Sequence, residues 1–102
     1  MNLGKANEAI DCYDKVIEFQ PDDANAYFYK GTALGDLGKN NEAIECYEKA
    51  IQMKPDYLIA YLKKGVILLN MGKDGQAIGC FDQVISMKPD FPNAYFQKGL
   101  GF

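Results

Sequence analysis

The sequence predicts an all-α fold, a helical-hairpin repeat solenoid, and three observations predict it. Stretches of 34 residues beginning at Pro21 and Pro55 share about fifteen identical positions, and a third copy opens at Pro89 with PDFPNAYFQKGLGF. Each period holds two apolar runs at helical spacing. No window alternates apolar and polar residues long enough for a strand. The 102 residues equal three such periods, with no linker or break in composition between them. The chain is therefore expected to form a single array over residues 1–102.

The elements follow in chain order. Residues 1–20, MNLGKANEAIDCYDKVIEFQ, align with the back half of the period, so a helix is expected over about 7–19. Ala26, Tyr27, Lys30, Gly31, Leu34 and Leu37 mark the first helix of the next period; Ala43, Ile44, Tyr47, Ala50 and Ile51 mark the second. Between them Gly38 can take the positive φ of a helix C-cap, and Asn40 or Asn41 can cap the following helix. Pro21, Pro55 and Pro89 follow the second helices, which cannot continue through them. These two periods predict helix pairs over about 24–53 and 58–87, followed by a last helix over about 92–102. Gly79, in the interior of DGQAIGCFDQVIS, costs roughly 1 kcal/mol relative to alanine, so that helix is expected to fray first.

Composition excludes several functions. With 48% hydrophobic and 25% charged residues, the chain is ordinary globular protein, not disordered. All 11 basic residues are lysine; arginine, histidine and tryptophan are absent. That removes histidine-dependent nucleophilic catalysis, histidine metal ligation and the bidentate arginine grip on phosphate. A net charge of −3 disfavours a nucleic-acid partner. No segment reaches the ~20 apolar residues of a membrane span, and the first residues lack the apolar core of a signal peptide. A cytoplasmic chain with reduced thiols, no cofactor and no enzymatic activity is expected.

Cys12, Cys46 and Cys80 recur at one point of the period. Stacked helices hold such residues about 8–10 Å apart, beyond the about 2.3 Å of a shared metal ion and beyond disulfide reach. They read as small hydrophobes, and no metal or catalytic residue is assigned. Asp11, Asp14, Glu42, Glu45, Glu48 and Asp82 read as a solvated face, with pairs such as Glu45–Lys49. Gly38-Lys39-Asn40 and Gly72-Lys73-Asp74 are turns and not phosphate loops.

Together Tyr27, Lys30, Gly31, Leu34, Ala43, Tyr47, Ala50 and Pro55 resemble the tetratricopeptide repeat signature. So do Tyr61, Lys64, Gly65, Leu68, Ala77, Phe81, Val84 and Pro89 one period later. The front end carries Ala9, Tyr13, Val16 and Pro21 of the same pattern, and the back end Tyr95, Lys98, Gly99 and Phe102. Departures are tyrosine for the usual tryptophan, lysine for the usual leucine, and valine twice for the second alanine. The resemblance implies 34-residue units stacked into a right-handed superhelix. It divides the chain into a second-helix half (1–23), two full repeats (24–57 and 58–91) and a first-helix half (92–102).

The resemblance also implies a function: a non-catalytic scaffold for protein-protein interaction, binding a peptide or protein segment in a concave groove lined by the first helices. The groove positions fall on Asn25, Phe28, Thr32, Gly35 and Asp36, then on Ile59, Leu62, Val66, Leu69 and Asn70, then on Asn93, Phe96 and Leu100. The segment LIAYLKKGVILLNM is apolar nearly all round, which is usual for a buried helix, so one side of it needs a covering partner or packs only on neighbouring helices. Some family members clamp acidic chaperone tails with lysine, asparagine and arginine. The aligned positions here are Phe28, Thr32, Lys63, Asn93 and Gln97, which make no clamp, so a terminal carboxylate is not the expected ligand.

An alternative comes from the two half-repeats. Ala9, Ile10, Tyr13, Val16 and Ile17 form an apolar face on one, and Ala94, Tyr95, Leu100 and Phe102 on the other. A helix of such length is marginal alone in water. The chain is then a self-assembling structural module, a homo-oligomer in which end helices of neighbouring molecules complete a repeat head-to-tail. The plainer reading is that the chain is an excerpt of a longer array and both ends fray.

Overall fold

The computed structural model describes residues 3–87, and within them it contains five α-helices and no strand. They are α1 (Leu3–Phe19), α2 (Ala24–Asp36), α3 (Asn40–Met53), α4 (Leu58–Asn70) and α5 (Asp74–Met87). The helix expected over 92–102 lies outside the described residues. Among the described residues no helix is long and apolar enough to cross a membrane. The chain divides into two compact units, Met1–Pro55 with α1, α2 and α3, and Asp56–Phe102 with α4 and α5.

In the first unit α2 packs on both α1 and α3. It begins at Asp23, whose extended backbone leaves the helix while its carboxylate accepts a hydrogen bond from the Ala26 N–H at 3.2 Å. It ends in a Schellman turn: the Gly38 N–H donates to the Gly35 carbonyl at 3.0 Å and the Lys39 N–H to Leu34 at 2.9 Å, with Gly38 at φ +80°. The same turn closes α4, where Gly72 at φ +79° donates to Leu69 and Lys73 to Leu68.

The hairpin interface is built on one contact. A Cβ added to Gly31 of α2 would lie 2.9 Å from Tyr47 Cε1 and 3.1 Å from the Ala43 carbonyl oxygen of α3. Glycine at that point lets the two backbones meet, and Ala43, Ala50 and Tyr47 are buried against α2. In the second unit Gly65 receives the Phe81 ring, whose Cε1 would sit 2.6 Å from such a Cβ, and Ala77, Phe81 and Val84 are wholly buried. Tyr47 and Phe81 thus each fill a notch within their own hairpin.

Two local expectations are corrected. Neither Asn40 nor Asn41 caps α3: Lys39 holds the cap position with no side-chain cap bond, because the Schellman turn brings the chain into the next helix one residue early. The first helix opens at Leu3, not near residue 7. Gly38 and Gly72 end a helix that precedes them. The equivalent Gly4 lies inside α1. Gly79 is retained inside a continuous α5.

Candidate interaction site

A partly open cavity of about 440 Å³ lies in the first unit, where α1 crosses α2. Ala6 and Ala9 of α1 and Ala33 of α2 supply small apolar lining, and Tyr13 and Tyr29 supply aromatic surface. Those two rings stack with centroids 5.8 Å apart, and Tyr29 also meets Phe28 edge-on at 5.3 Å. Lys5, Thr32 and Asp36 give the polar part of the lining.

Two polar links hold this region. Lys30 of α2 reaches Asp14 of α1 at 2.6 Å, and that hydrogen bond raises the lysine pKa against the opposing effect of burial. Thr32 donates its hydroxyl proton to the Phe28 carbonyl at 3.2 Å, one helical turn back. Its oxygen lies 3.1 Å from the Tyr47 hydroxyl. Either hydroxyl can donate in that pair. Burial raises the Tyr47 pKa, while the bond to Thr32 pulls the other way.

The groove residues implied by the resemblance differ in exposure. On α2, Asn25 is exposed and Thr32 half-buried, while Phe28 is 7% exposed and packs on Tyr47 with ring centroids 5.6 Å apart. On α4, Ile59 and Asn70 are exposed, Val66 and Leu69 half-buried, and Leu62 buried. Asn93, Phe96 and Leu100 lie outside the described residues. Of the self-association residues, Ala9, Ile10, Tyr13 and Ile17 are half-buried and Val16 is exposed; Ala94, Tyr95, Leu100 and Phe102 lie outside the described residues. The cavity brings two members of the first set, Thr32 and Asp36, together with two of the second, Ala9 and Tyr13.

Lys5, Ala6, Tyr29 and Ala33 complete this lining and were not singled out from the sequence. A signal for two of them existed. Ala6 stands one turn before Ala9, and Tyr29 follows Tyr13 by the same sixteen residues that separate Asp14 from its partner Lys30.

Comparison with known proteins places this geometry. A family model described as TPR repeat matches residues 1–38 and 31–72, and one described as Tetratricopeptide repeat matches residues 58–91. A crystal structure of MamA is 32% identical over 94% of this chain, with a TM-score of 0.90, and 56% of that chain is covered. This chain thus spans little more than half the length of that MamA chain. The first TPR of Spaghetti (RPAP3), bound to the HSP90 peptide SRMEEVD, matches at 24% identity over 96% of this chain and 78% of its own, with a TM-score of 0.90. The second TPR domain of human RPAP3, in complex with the HSP70 peptide SGPTIEEVD, also matches at 24% identity, over 96% of this chain and 82% of its own, with a TM-score of 0.88. At that identity the likeness is one of fold. A search of curated proteins gave no match. By the family models, which together run through both hairpins, the chain belongs to the tetratricopeptide repeat family.

Proposed function

We propose that the chain is a non-catalytic protein-interaction scaffold that binds an apolar protein segment through its first-type helices and the cavity beside them. The supporting observation is the cavity between α1 and α2: alanines and two tyrosines make most of its lining, with polar groups enough to orient a ligand. On this reading Asn25 and Thr32 of the first unit contribute their exposed surface over Phe28, and Ile59, Val66, Leu69 and Asn70 of the second unit contribute theirs over Leu62. Asn93, Phe96 and Leu100 hold the corresponding places one period later in the sequence. The related fold of Spaghetti holds a peptide ending in EEVD. This chain carries Phe28, Thr32 and Lys63 at the corresponding clamp positions, so an apolar segment suits it better than an acidic tail.

Selection of a displayed peptide library on the full chain tests the proposal. The expected binders are apolar segments, weakened at least about tenfold by Ala9→Glu, which places a charge in the cavity. Binders dominated by acidic carboxyl-terminal tails, or indifferent to Ala9→Glu, would overturn it.

A second reading makes the bound protein another copy of this chain. The observation favouring it is the exposure of Val16 and the half-exposure of Ala9, Ile10, Tyr13 and Ile17 along α1.

A further inference from the structure

A series of aromatic rings crosses the first unit, each in contact with the next. Tyr13 of α1 stacks on Tyr29 of α2, with ring centroids 5.8 Å apart and planes inclined by 23°. Tyr29 meets Phe28 edge-on at 5.3 Å, and Phe28 packs on Tyr47 of α3 at 5.6 Å. Within this series Tyr13 and Tyr29 are two phenols in direct ring contact. Phe28, which has no hydroxyl, stands between Tyr29 and Tyr47.

The phenols also differ in freedom. Tyr47 is 2% exposed, seated in the notch over Gly31 and bonded through its hydroxyl to Thr32. Tyr29 is 49% exposed and Tyr13 half-buried. An exposed ring turns about its side-chain bonds within nanoseconds, so Tyr29 can swing its edge toward that of Tyr13. A phenol that loses one electron and its proton becomes a radical with spin on the ring carbons beside the oxygen. Two such radicals, brought edge to edge, form a carbon–carbon bond.

We infer that Tyr13 and Tyr29 form an oxidative cross-linking site, at which a one-electron oxidant of the haem-peroxidase class joins α1 to α2 through a bond between the two rings. Each hydroxyl gives one electron to the oxidant and its proton to water, leaving two phenoxyl radicals. The radicals couple at a Cε carbon of each ring, and each of those carbons then passes its hydrogen to the oxygen, restoring both phenols. The protein has lost two electrons and two protons; one hydrogen peroxide, taking up two of each, becomes two waters. Because the rings are held side by side, coupling within the chain outruns coupling between chains. The bond closes a loop from Tyr13 to Tyr29 and adds a covalent tie to the Asp14–Lys30 ion pair between the same helices. It goes beyond the scaffold reading and needs no bound ligand.

The test uses the full chain at low concentration, with Cys12 alkylated beforehand because its exposed thiol would consume oxidant. Hydrogen peroxide and a haem peroxidase should yield a product that runs as a monomer on a denaturing gel and shows dityrosine fluorescence. Cleavage after lysine should release residues 6–15 joined to residues 16–30, lighter by two hydrogen atoms than the separate peptides. Residues 16–30 hold Tyr27 as well as Tyr29, so variants assign the bond. Tyr13→Phe and Tyr29→Phe should each lower the intrachain yield at least about tenfold, and Tyr27→Phe should leave it unchanged. Fragment sequencing of the joined peptides places the bond in the wild-type chain itself, so a variant that fails to fold does not decide the matter. The cross-linked chain should also unfold at a higher urea concentration than the untreated chain, because its unfolded state is constrained. Coupling mainly between chains, a joined peptide that persists in Tyr29→Phe, or oxidation that yields no joined peptide would each overturn the site.

Discussion

In the α2–α3 hairpin the ring that fills the notch over Gly31 is Tyr47, and its hydroxyl is hydrogen-bonded to that of Thr32. Thirty-four residues on, in the α4–α5 hairpin, Phe81 fills the notch over Gly65, and Val66 stands where Thr32 stood. The two hydroxyls are present together in one hairpin and missing together in the other. A buried hydroxyl without a partner costs more than the bond it loses, so the pair exchanges as a unit. The notch itself does not change: glycine below, a six-membered ring above, alanine beside it. Shape is held constant between the two hairpins, and polarity varies only in ways that satisfy itself.

The largest expected effect attacks the shared element. Gly65→Ala puts a methyl group 2.6 Å from Phe81 Cε1, and overpacking of this kind costs typically about 1–3 kcal/mol. Gly79→Ala is the control, since its Cβ meets nothing within 4 Å and removes a mid-helix glycine; it should stabilise by roughly 0.5–1 kcal/mol. Urea denaturation followed by circular dichroism separates the two signs. A neutral Gly65→Ala would mean that the hairpins are looser than the notch implies.

Exchange of polarity comes next. Thr32→Val leaves the Tyr47 hydroxyl without this partner and should cost about 1–2 kcal/mol. Tyr47→Phe should cost about 0.5–1.5 kcal/mol. The double variant, which copies the chemistry of α4–α5 into α2–α3, should cost less than the sum of the two by at least ~0.5 kcal/mol. Strict additivity in that cycle would break the comparison, because the two hydroxyls would then not be coupled.

A third difference lies at the helix starts. Asp23 caps α2 with its carboxylate, while the equivalent Tyr57 of α4 is a buried ring that makes no side-chain cap bond. Asp23→Ala should lower stability by about 1 kcal/mol, read from the shift in denaturation midpoint. Asp23→Asn, which keeps an acceptor oxygen, should restore most of it.

Much of this fold was legible because the period repeats every signal twice. Gly38 and Gly72 each mark a turn, Pro21 and Pro55 each follow a helix end, and Gly31 and Gly65 each announce a close approach. Where a residue has a neighbour only in space, the period was less help. Thr32 and Tyr47 are fifteen residues apart on facing helices, and the bond between them is a matter of side-chain geometry. Tyr29 is the same kind of case, since its place in the α1/α2 cavity depends on stacking with Tyr13. Phe28 and Leu62 show a third limit. Their place in the repeat implied a ligand-facing role, but how far a side chain sinks depends on its neighbours, here the Tyr47 and Tyr29 rings around Phe28.

The smallest expected effect concerns charge in the first unit. Lys30 is held above its ordinary pKa chiefly by the hydrogen bond to Asp14. A lysine pKa raised on folding adds stability that is fully present below the unfolded value of about 10.5 and is lost as pH rises through the folded value. Asp14 is half exposed, so screening by solvent holds the pair to about 0.2–1 kcal/mol. Asp14→Asn should therefore lower stability by that amount near neutrality, and the gap from the wild type should close in strongly alkaline buffer. Burial raises Cys46 and Tyr47 as well, so the folded chain also holds those protons more tightly than the unfolded one. Their contributions fade on the same alkaline side; that of Tyr47 is common to both proteins, whereas Asp14 itself adds to the rise of Cys46, so part of the cysteine contribution is lost with it. Paired denaturation curves at neutral and alkaline pH measure that difference directly. A gap that stays constant through the lysine titration would show that Asp14 acts through packing and not through the charge on Lys30.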